Sequence, residues 1–220
     1  MTNEKMIVID PGHGMGSDGR YKRPIMDCSG PKAKVVRGAH NDRSMDDLGY
    51  LCYREDHGTL KIANEAYNTL GTLGYHVQFT RFDYEDVAQN YPNAKIPKWK
   101  IVRHLTELYG ADAFVALHTN AGGGSGPRVF CRQPKAPGIL DSSPLARCIM
   151  QSIVSAFDFK TGKVKRKNYA VLNSKIPSAL VECCFHDNID DMQNLLGSDG
   201  FEKMGMAVAH GIDRWFRRAS

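Results

Sequence analysis

The run MIVIDPGHG, Met6 to Gly14, narrows the folds open to this chain more than any other stretch. Met6 to Ile9 is apolar and largely β-branched, as suits a strand covered on both faces. Asp10-Pro11-Gly12 should then break it, because proline fixes φ and glycine permits otherwise strained backbone. That leaves His13 at the carboxyl end of a buried strand, the edge where open α/β sheets bind ligands. Two further strand-like runs end in the same way. Ala113 to Leu117 (AFVAL) leads into His118-Thr119-Asn120, and the run from Ala179 to Cys183 carries Glu182 near its end.

Between these runs the spacing turns helical. Leu60, Ala63, Tyr67, Leu70 and Leu73 recur at the helical interval, and Gly74 is placed to end the helix. Tyr75 to Thr80 alternates, with Val77 and Phe79 on one face. Ile101, Leu105 and Leu108 mark a second helix closed by Gly110. Ser143-Pro144 reads as an N-cap followed by proline at the first helical position, opening a helix that runs to about Phe157. Arg128 to Cys131 reads as an edge strand and Tyr169 to Leu172 as a further strand. A short helix is expected near Asp190 to Leu196. A last one is expected from about Asp199, with Phe201, Met204, Val208 and Trp215 on one face.

Strands alternating with helices predict an α/β fold. The expectation is one domain over residues 1–220, with a twisted, mostly parallel central sheet and helices on both faces. No second domain, linker or internal repeat is expected. At 220 residues such a chain can bury a full core. Two stretches stand apart. Residues 15–54 are broken by glycine and proline and read as an excursion beside the site, with a short hairpin or a one-turn helix. Residues 81–97 are polar and loop-like.

Composition removes several classes of function. No apolar run approaches the roughly 20 residues needed to cross a bilayer, and the N-terminus lacks the apolar region of a signal peptide. No membrane partner is expected. Cys28, Cys52, Cys131, Cys148, Cys183 and Cys184 lack the paired C-x-x-C spacing of a thiolate metal site and read as reduced thiols. The net charge of +5 suits an anionic partner but is too mild to select nucleic acid, and none is expected. Its sharpest local expression, KTGKVKRK at Lys160 to Lys167, reads as a solvated loop, with a docking patch as the alternative. Gly14-Met15-Gly16-Ser17-Asp18-Gly19 matches G-x-G-x-x-G after a strand, but Pro24 breaks the helix a dinucleotide site needs.

Two histidines at strand ends and a carboxylate form a donor set that suits zinc, which in catalytic sites takes three protein ligands and keeps a fourth position open. Here a resemblance becomes specific. Asp10-Pro11-Gly12-His13-Gly14, Glu55 with Leu60 and Ile62-Ala63, Gly74 to Arg81 (GYHVQFTR), Ala111 to Ala121 (ADAFVALHTNA), Pro177 to Leu195 (PSALVECCFHDNIDDMQNL) and Gly211-Ile212 fall in order. Together they resemble the zinc-dependent N-acetylmuramoyl-L-alanine amidases of the amidase-3 type.

The resemblance implies that His13, Glu55 and His118 bind Zn2+ and that Glu182 is the catalytic base. It implies metal-assisted hydrolysis of the amide joining N-acetylmuramic acid to the L-alanine of the peptidoglycan stem peptide. The partner is then peptidoglycan, and the enzyme is expected as a monomer. The setting is a phage endolysin, made in the cytoplasm and released, or a trimmed, exported autolysin. The chain departs from the family in three places: the length of the 15–54 excursion, Ala116-Leu117 before His118, and Cys183-Cys184 after Glu182.

Other roles stay open. Glu55 could be a helix N-terminal acid, with His57 and Glu65 as stand-ins for it as ligand. Glu182 could pair with a base such as Arg81. His186 is a candidate to orient substrate, and Asn120 either holds the His118 loop or contacts substrate. His40, His57 and His104 read as surface residues. Cys183 with His186 as base is a nucleophilic alternative. A catalytically silent wall-binding module on the same fold is the alternative to an enzyme.

Overall fold

The computed structural model describes residues 5–14, 23, 25–28, 30, 32, 34–35, 52–82, 98–134, 140–159 and 162–219. His40, the glycines at 16 and 19, Lys160 and most of the 81–97 stretch lie outside the described residues. The main sheet holds β1 (Met6–Pro11), β5 (His76–Phe79), β6 (Ala113–Asn120), β7 (Arg128–Cys131), β8 (Lys163–Arg166) and β9 (Ser178–Phe185). Its spatial order is β5-β1-β6-β9-β7-β8. The first four are parallel to one another, and β7 runs antiparallel to β9. The fold is therefore the expected α/β class with a mostly parallel sheet.

Alternation along the strands sorts the core into two layers. Ile7, Ile9, Val115, Leu117, Val181 and Cys183 face one way and join the larger cluster. Val8, Phe114, Ala116 and Leu180 face the other way and join the smaller one. Helices α1 (Glu55–Thr72), α3 (Ser143–Ala156) and α5 (Gly200–Ala219) cover the first face. On the second, α2 (Lys98–Leu108) contributes Ile101, Val102 and Leu105. Each fully buried large aliphatic side chain contributes about 1.5–3 kcal/mol relative to exposure. A short helix, α4 (Ile189–Leu196), follows β9. Part of the 15–54 excursion forms a small antiparallel sheet of β2 (Met26–Asp27), β3 (Lys34–Val35) and β4 (Cys52–Tyr53).

Several expectations need correction. Tyr169 to Leu172 is not a strand: Ala170–Leu172 is a 3-10 turn that carries only Leu172 into the core. A short apolar run cannot be assigned by periodicity alone. Arg128 to Cys131 is not an edge strand, because β8 pairs outside it. That pairing makes Lys163–Arg166 a strand, although the basic run read as a loop. The helix cap is displaced by one residue. Ser142 holds the N-cap position, while Asp141 accepts from the Ser143 backbone N–H. Leu108 is 65% exposed rather than core. His57 is buried, at 3% exposure, in the first turn of α1. The break after Ile9 comes two residues late, since β1 continues through Pro11. There the β5 ladder has already ended at Ile9–Phe79, so the missing N–H is tolerated. All six cysteines are free, and all but Cys52 are buried.

Candidate metal centre

Parallel strands deliver their carboxyl ends to one edge. Pro11 is level with Leu117 and His118 with Glu182, so the three runs singled out in the sequence end side by side. Just past β1, His13 takes φ +63, the one positive φ at a non-glycine among the described residues. That backbone costs about 1–3 kcal/mol. It turns the imidazole onto Glu55, whose Oε2 lies 3.1 Å from His13 Nε2. Glu55 Oε1 lies 3.1 Å from His118 Nδ1 and accepts from the Thr119 backbone N–H at 2.9 Å. The two imidazoles meet edge to face, with centroids 4.9 Å apart.

One donor atom from each of His13, Glu55 and His118 lies within 4.8 Å of the others. Two ligands at typical zinc distances in a tetrahedral site sit about 3.3 Å apart, close to the two Glu55 contacts. Two imidazole nitrogens and one carboxylate match the donor types of a three-ligand zinc site, so the residues fit the metal.

Glycine has a use here that the motif did not reveal. A Cβ on Gly12 would lie 2.5 Å from both Cε1 and Nδ1 of His118. The bare Cα therefore makes room for the second histidine ring rather than for substrate. Buried charge fixes the frame. Arg81, 1% exposed, donates through Nε to Pro11 O and through Nη2 to Gly12 O and Asp56 O. It clamps the loop carrying His13 to the helix start carrying Glu55, and does not pair with Glu182. Arg54 grips Asp56 through two hydrogen bonds, and Thr59 Oγ1 donates to Gly12 O. Sequence reasoning missed Arg54, Asp56, Thr59 and Thr119. The only available signal was the charge cluster Arg54-Glu55-Asp56 heading an apolar helix.

The other named residues separate. Glu65 is ten residues along α1 from Glu55, about 15 Å, and accepts from Thr69. His57 Nε2 lies 4.0 Å from Asp56 Oδ2. His104 is exposed. Asn120 Oδ1 accepts from the Ala121 N–H, and its carbonyl accepts from the His186 N–H, so Asn120 holds the strand end. His186 is buried, and its Nδ1 lies 3.0 Å from Thr119 Oγ1, itself 3.1 Å from the Tyr53 hydroxyl. Burial raises the Cys183 thiol far above its ordinary value, which removes it as a nucleophile at neutral pH. The glycine-rich segment Gly122 to Gly126 that follows β6 is tied down: Asp187 Oδ2 accepts from the Gly122 and Gly123 N–H groups, and Asn188 donates to Gly124 O.

Electrostatics distinguish the carboxylates. Burial works to raise Glu55, but its hydrogen bonds with His118 and His13 outweigh it and hold the group well below the usual carboxylate range. Burial works to lower His118, yet the Glu55 hydrogen bond and charge, aided by Glu182, raise it. Burial lowers His13. Glu182 is pushed up to about 7, chiefly by burial, and its buried Oε2 has no hydrogen-bond partner among the described residues. Beside the histidines lies a cleft of about 280 Å³, bordered by Asp10, His13, Arg23, Trp99, Val102, His118 and Val171.

Residues 7–214 match the family described as N-acetylmuramoyl-L-alanine amidase, Amidase_3. The chain belongs to that family. Over 110 residues it is 33% identical to the N-acetylmuramoyl-L-alanine amidase CwlM of Bacillus licheniformis, covering 49% of this chain and 42% of the relative. It is 27% identical over 250 residues to AmiC of Neisseria meningitidis, covering 93% of this chain and 55% of that protein. The chain thus spans about half, or less, of these curated relatives. Among solved structures, an N-acetylmuramoyl-L-alanine amidase from Clostridium difficile 630 superposes with a TM-score of 0.71 at 23% identity, over 100% of both chains. That likeness speaks to the fold alone. Cwp6 from Clostridium difficile superposes at 0.69 with 26% identity, over 96% of this chain and 29% of that one.

Proposed function

We infer that this chain is a zinc-dependent hydrolase of peptidoglycan, cleaving the amide between N-acetylmuramic acid and the L-alanine of the stem peptide. The observation that carries this reading is the His13–Glu55–His118 donor set beside a half-buried Glu182 whose Oε2 has no hydrogen-bond partner among the described residues, in a chain of the amidase family. His13, Glu55 and His118 hold the ion. Bound there, zinc supplies a Lewis acid for the scissile carbonyl and makes water more acidic. Glu182, poised near neutrality, accepts the water's proton and passes it to the leaving alanine nitrogen. His186 orients substrate across the β9 end, while Trp99 and the Gly122–Gly126 loop wall the approach. Residues 1–220 act as one catalytic unit and as a monomer. A released phage lysin and an exported autolysin would meet the same bond.

The silent-module alternative gains no support from a base kept unpaired at a cost in stability. The test is mass spectrometry of purified sacculi after incubation with the protein. Stem peptides bearing a free amino-terminal L-alanine are expected, and their appearance should stop on chelation and resume with zinc. Binding without release, new reducing ends without new amines, or undiminished release after chelation would each overturn the reading.

A further inference from the structure

The cleft beside His13 and His118 has two kinds of wall. Asp10, His13 and His118 come from the strand ends and Arg23 from the excursion, while Trp99 and Val102 of α2, with Val171 of the 3-10 turn, make an apolar side. Val102 is 1% exposed and joins the core, whereas Trp99, three residues before it on the same helix face, is only half-buried. Trp99 belongs to neither core cluster. Lys100 Nζ and Arg103 Cζ lie 5.6 and 5.9 Å from its ring centroid, near the outer limit of a cation–π contact, and help to fix its orientation. A large ring held at a cleft beside the donor set, and not used to build the core, is a surface for a ligand.

We propose that this cleft seats the muramoyl sugar of the substrate, with the indole of Trp99 as its stacking platform. The proposal rests on the amidase reading. Across the sheet the order is β1, β6, β9. The cleft is bordered by residues at the ends of β1 and β6, and Glu182 on β9 is not among them. Glu182 passes its proton to the departing alanine nitrogen, so the stem peptide lies over β9 and the acyl half of the substrate lies toward β6 and β1. In that half only a carbon and an ether oxygen join the scissile carbonyl to the sugar, which places the ring beside the histidines.

The chemistry of the walls suits such a ring. A pyranose presents a face of C–H groups, and the electron-rich face of an indole attracts them. The methyl of L-alanine has no use for so large a platform. Arg23, exposed and without an ion pair among the described residues, supplies donors for the hydroxyl and acetamido oxygens of the sugar. Asp10 is engaged with the Thr80 hydroxyl.

The test uses the zinc-loaded full chain and two substrates that differ only in the sugar: N-acetylmuramoyl-L-alanyl-D-isoglutamine and lactyl-L-alanyl-D-isoglutamine. The parent should cleave the first with kcat/KM at least about tenfold higher, the scale of one good aromatic anchor. Trp99→Ala should erase that advantage, mostly through KM, with cleavage of the lactyl compound changed far less. Trp99→Phe should recover part of it. Phe82→Ala, which removes an exposed aromatic ring outside the cleft, should keep all of it. A second readout needs no hydrolysis. The methyl ester of N-acetylmuramic acid, which has no carboxylate for Arg23 to pair with, should bind saturably to Glu182→Gln by calorimetry. Adding Trp99→Ala should weaken that binding at least about tenfold.

No preference in the parent, an equal loss on both substrates in Trp99→Ala, or ester binding untouched by Trp99→Ala would overturn the proposal. So would a Trp99→Ala effect that appears only when isoglutamine is replaced by isoglutamate, which would give the cleft to the stem peptide. If neither substrate is cleaved while the ester still binds through Trp99, the amidase reading falls and the sugar seat stands, so the two failures are distinguishable.

Discussion

Glu55 opens α1 and Glu182 lies near the end of β9, and His118 relates to both: it contacts the first and is level with the second. Burial pushes both carboxyls the same way, toward the protonated form. What separates them is supply of donors. Glu55 receives the Thr119 N–H and lies against two imidazoles, while Glu182 Oε2 receives nothing among the described residues. A carboxylate held by several donors stays charged, as a metal ligand must. One left without donors near neutrality can take and give a proton. Pairs whose environments push their pKa values apart are how one site obtains two roles from one chemical group.

The largest effect should come from removing the charge of the held carboxylate. Glu55→Gln is expected to lose both bound zinc and muropeptide release, measured by elemental analysis and mass spectrometry. Full zinc occupancy in this variant would break the comparison. Glu182→Gln is the counterpart: zinc should stay bound, while hydrolysis falls about 10²–10⁴-fold, the usual contribution of a positioned acid–base group.

The frame around Glu55 should matter next. Arg81→Met strands the carbonyls of Pro11 and Asp56 in the interior and removes one of the donors to Gly12 O. A stability loss of about 3 kcal/mol is expected by denaturant titration, with weaker zinc binding. Arg81→Lys should restore only part of it, since one ammonium cannot span three carbonyls. Gly12→Ala drives a Cβ against the His118 ring, and zinc affinity should fall about 10–100-fold, as when a supporting contact of a metal ligand is lost.

The smallest effect sharpens the comparison from the side of Glu182. Its folded pKa is raised from 4.5 to about 7. The protonated carboxyl therefore stabilises the fold below pH 4.5, and that contribution disappears as pH rises through 7. In the zinc-free protein, Glu182→Gln should be more stable than the parent at pH 8 by roughly 1–2 kcal/mol, after allowance for partial exposure, and equal to it near pH 4. No difference at pH 8 would mean that burial is not what raises the group.

Much of the fold was legible because its signals are local. The runs at Met6 to Ile9 and Ala113 to Leu117 announce strands covered on both faces, and each end of such a strand was visible as a motif. Assignments failed where the signal was short or shared. Tyr169 to Leu172 is three or four residues of apolar chain, which a turn can bury as readily as a strand. Lys163 to Arg166 looked solvated because it is; an outer strand exposes its side chains, and only pairing with β7 makes it a strand. His57 looked like a surface histidine because a helix's first turn is usually open to water, whereas here that turn is buried and His57 Nε2 lies 4.0 Å from Asp56 Oδ2.

By itself the sequence determined which residues could reach the site: His13, His118 and Glu182 each follow or end a hydrophobic run, and burying those runs side by side brings their ends to one edge. The resemblance implied a role for each, but the sequence could not determine what holds each side chain in place. That depends on partners tens of residues away. Glu55 meets the Thr119 N–H, Arg81 meets the carbonyl of Pro11, and bare Gly12 meets the ring of His118. Hydrogen bonds and steric room are properties of pairs in space, and a chain read one residue at a time carries no record of them until it has folded.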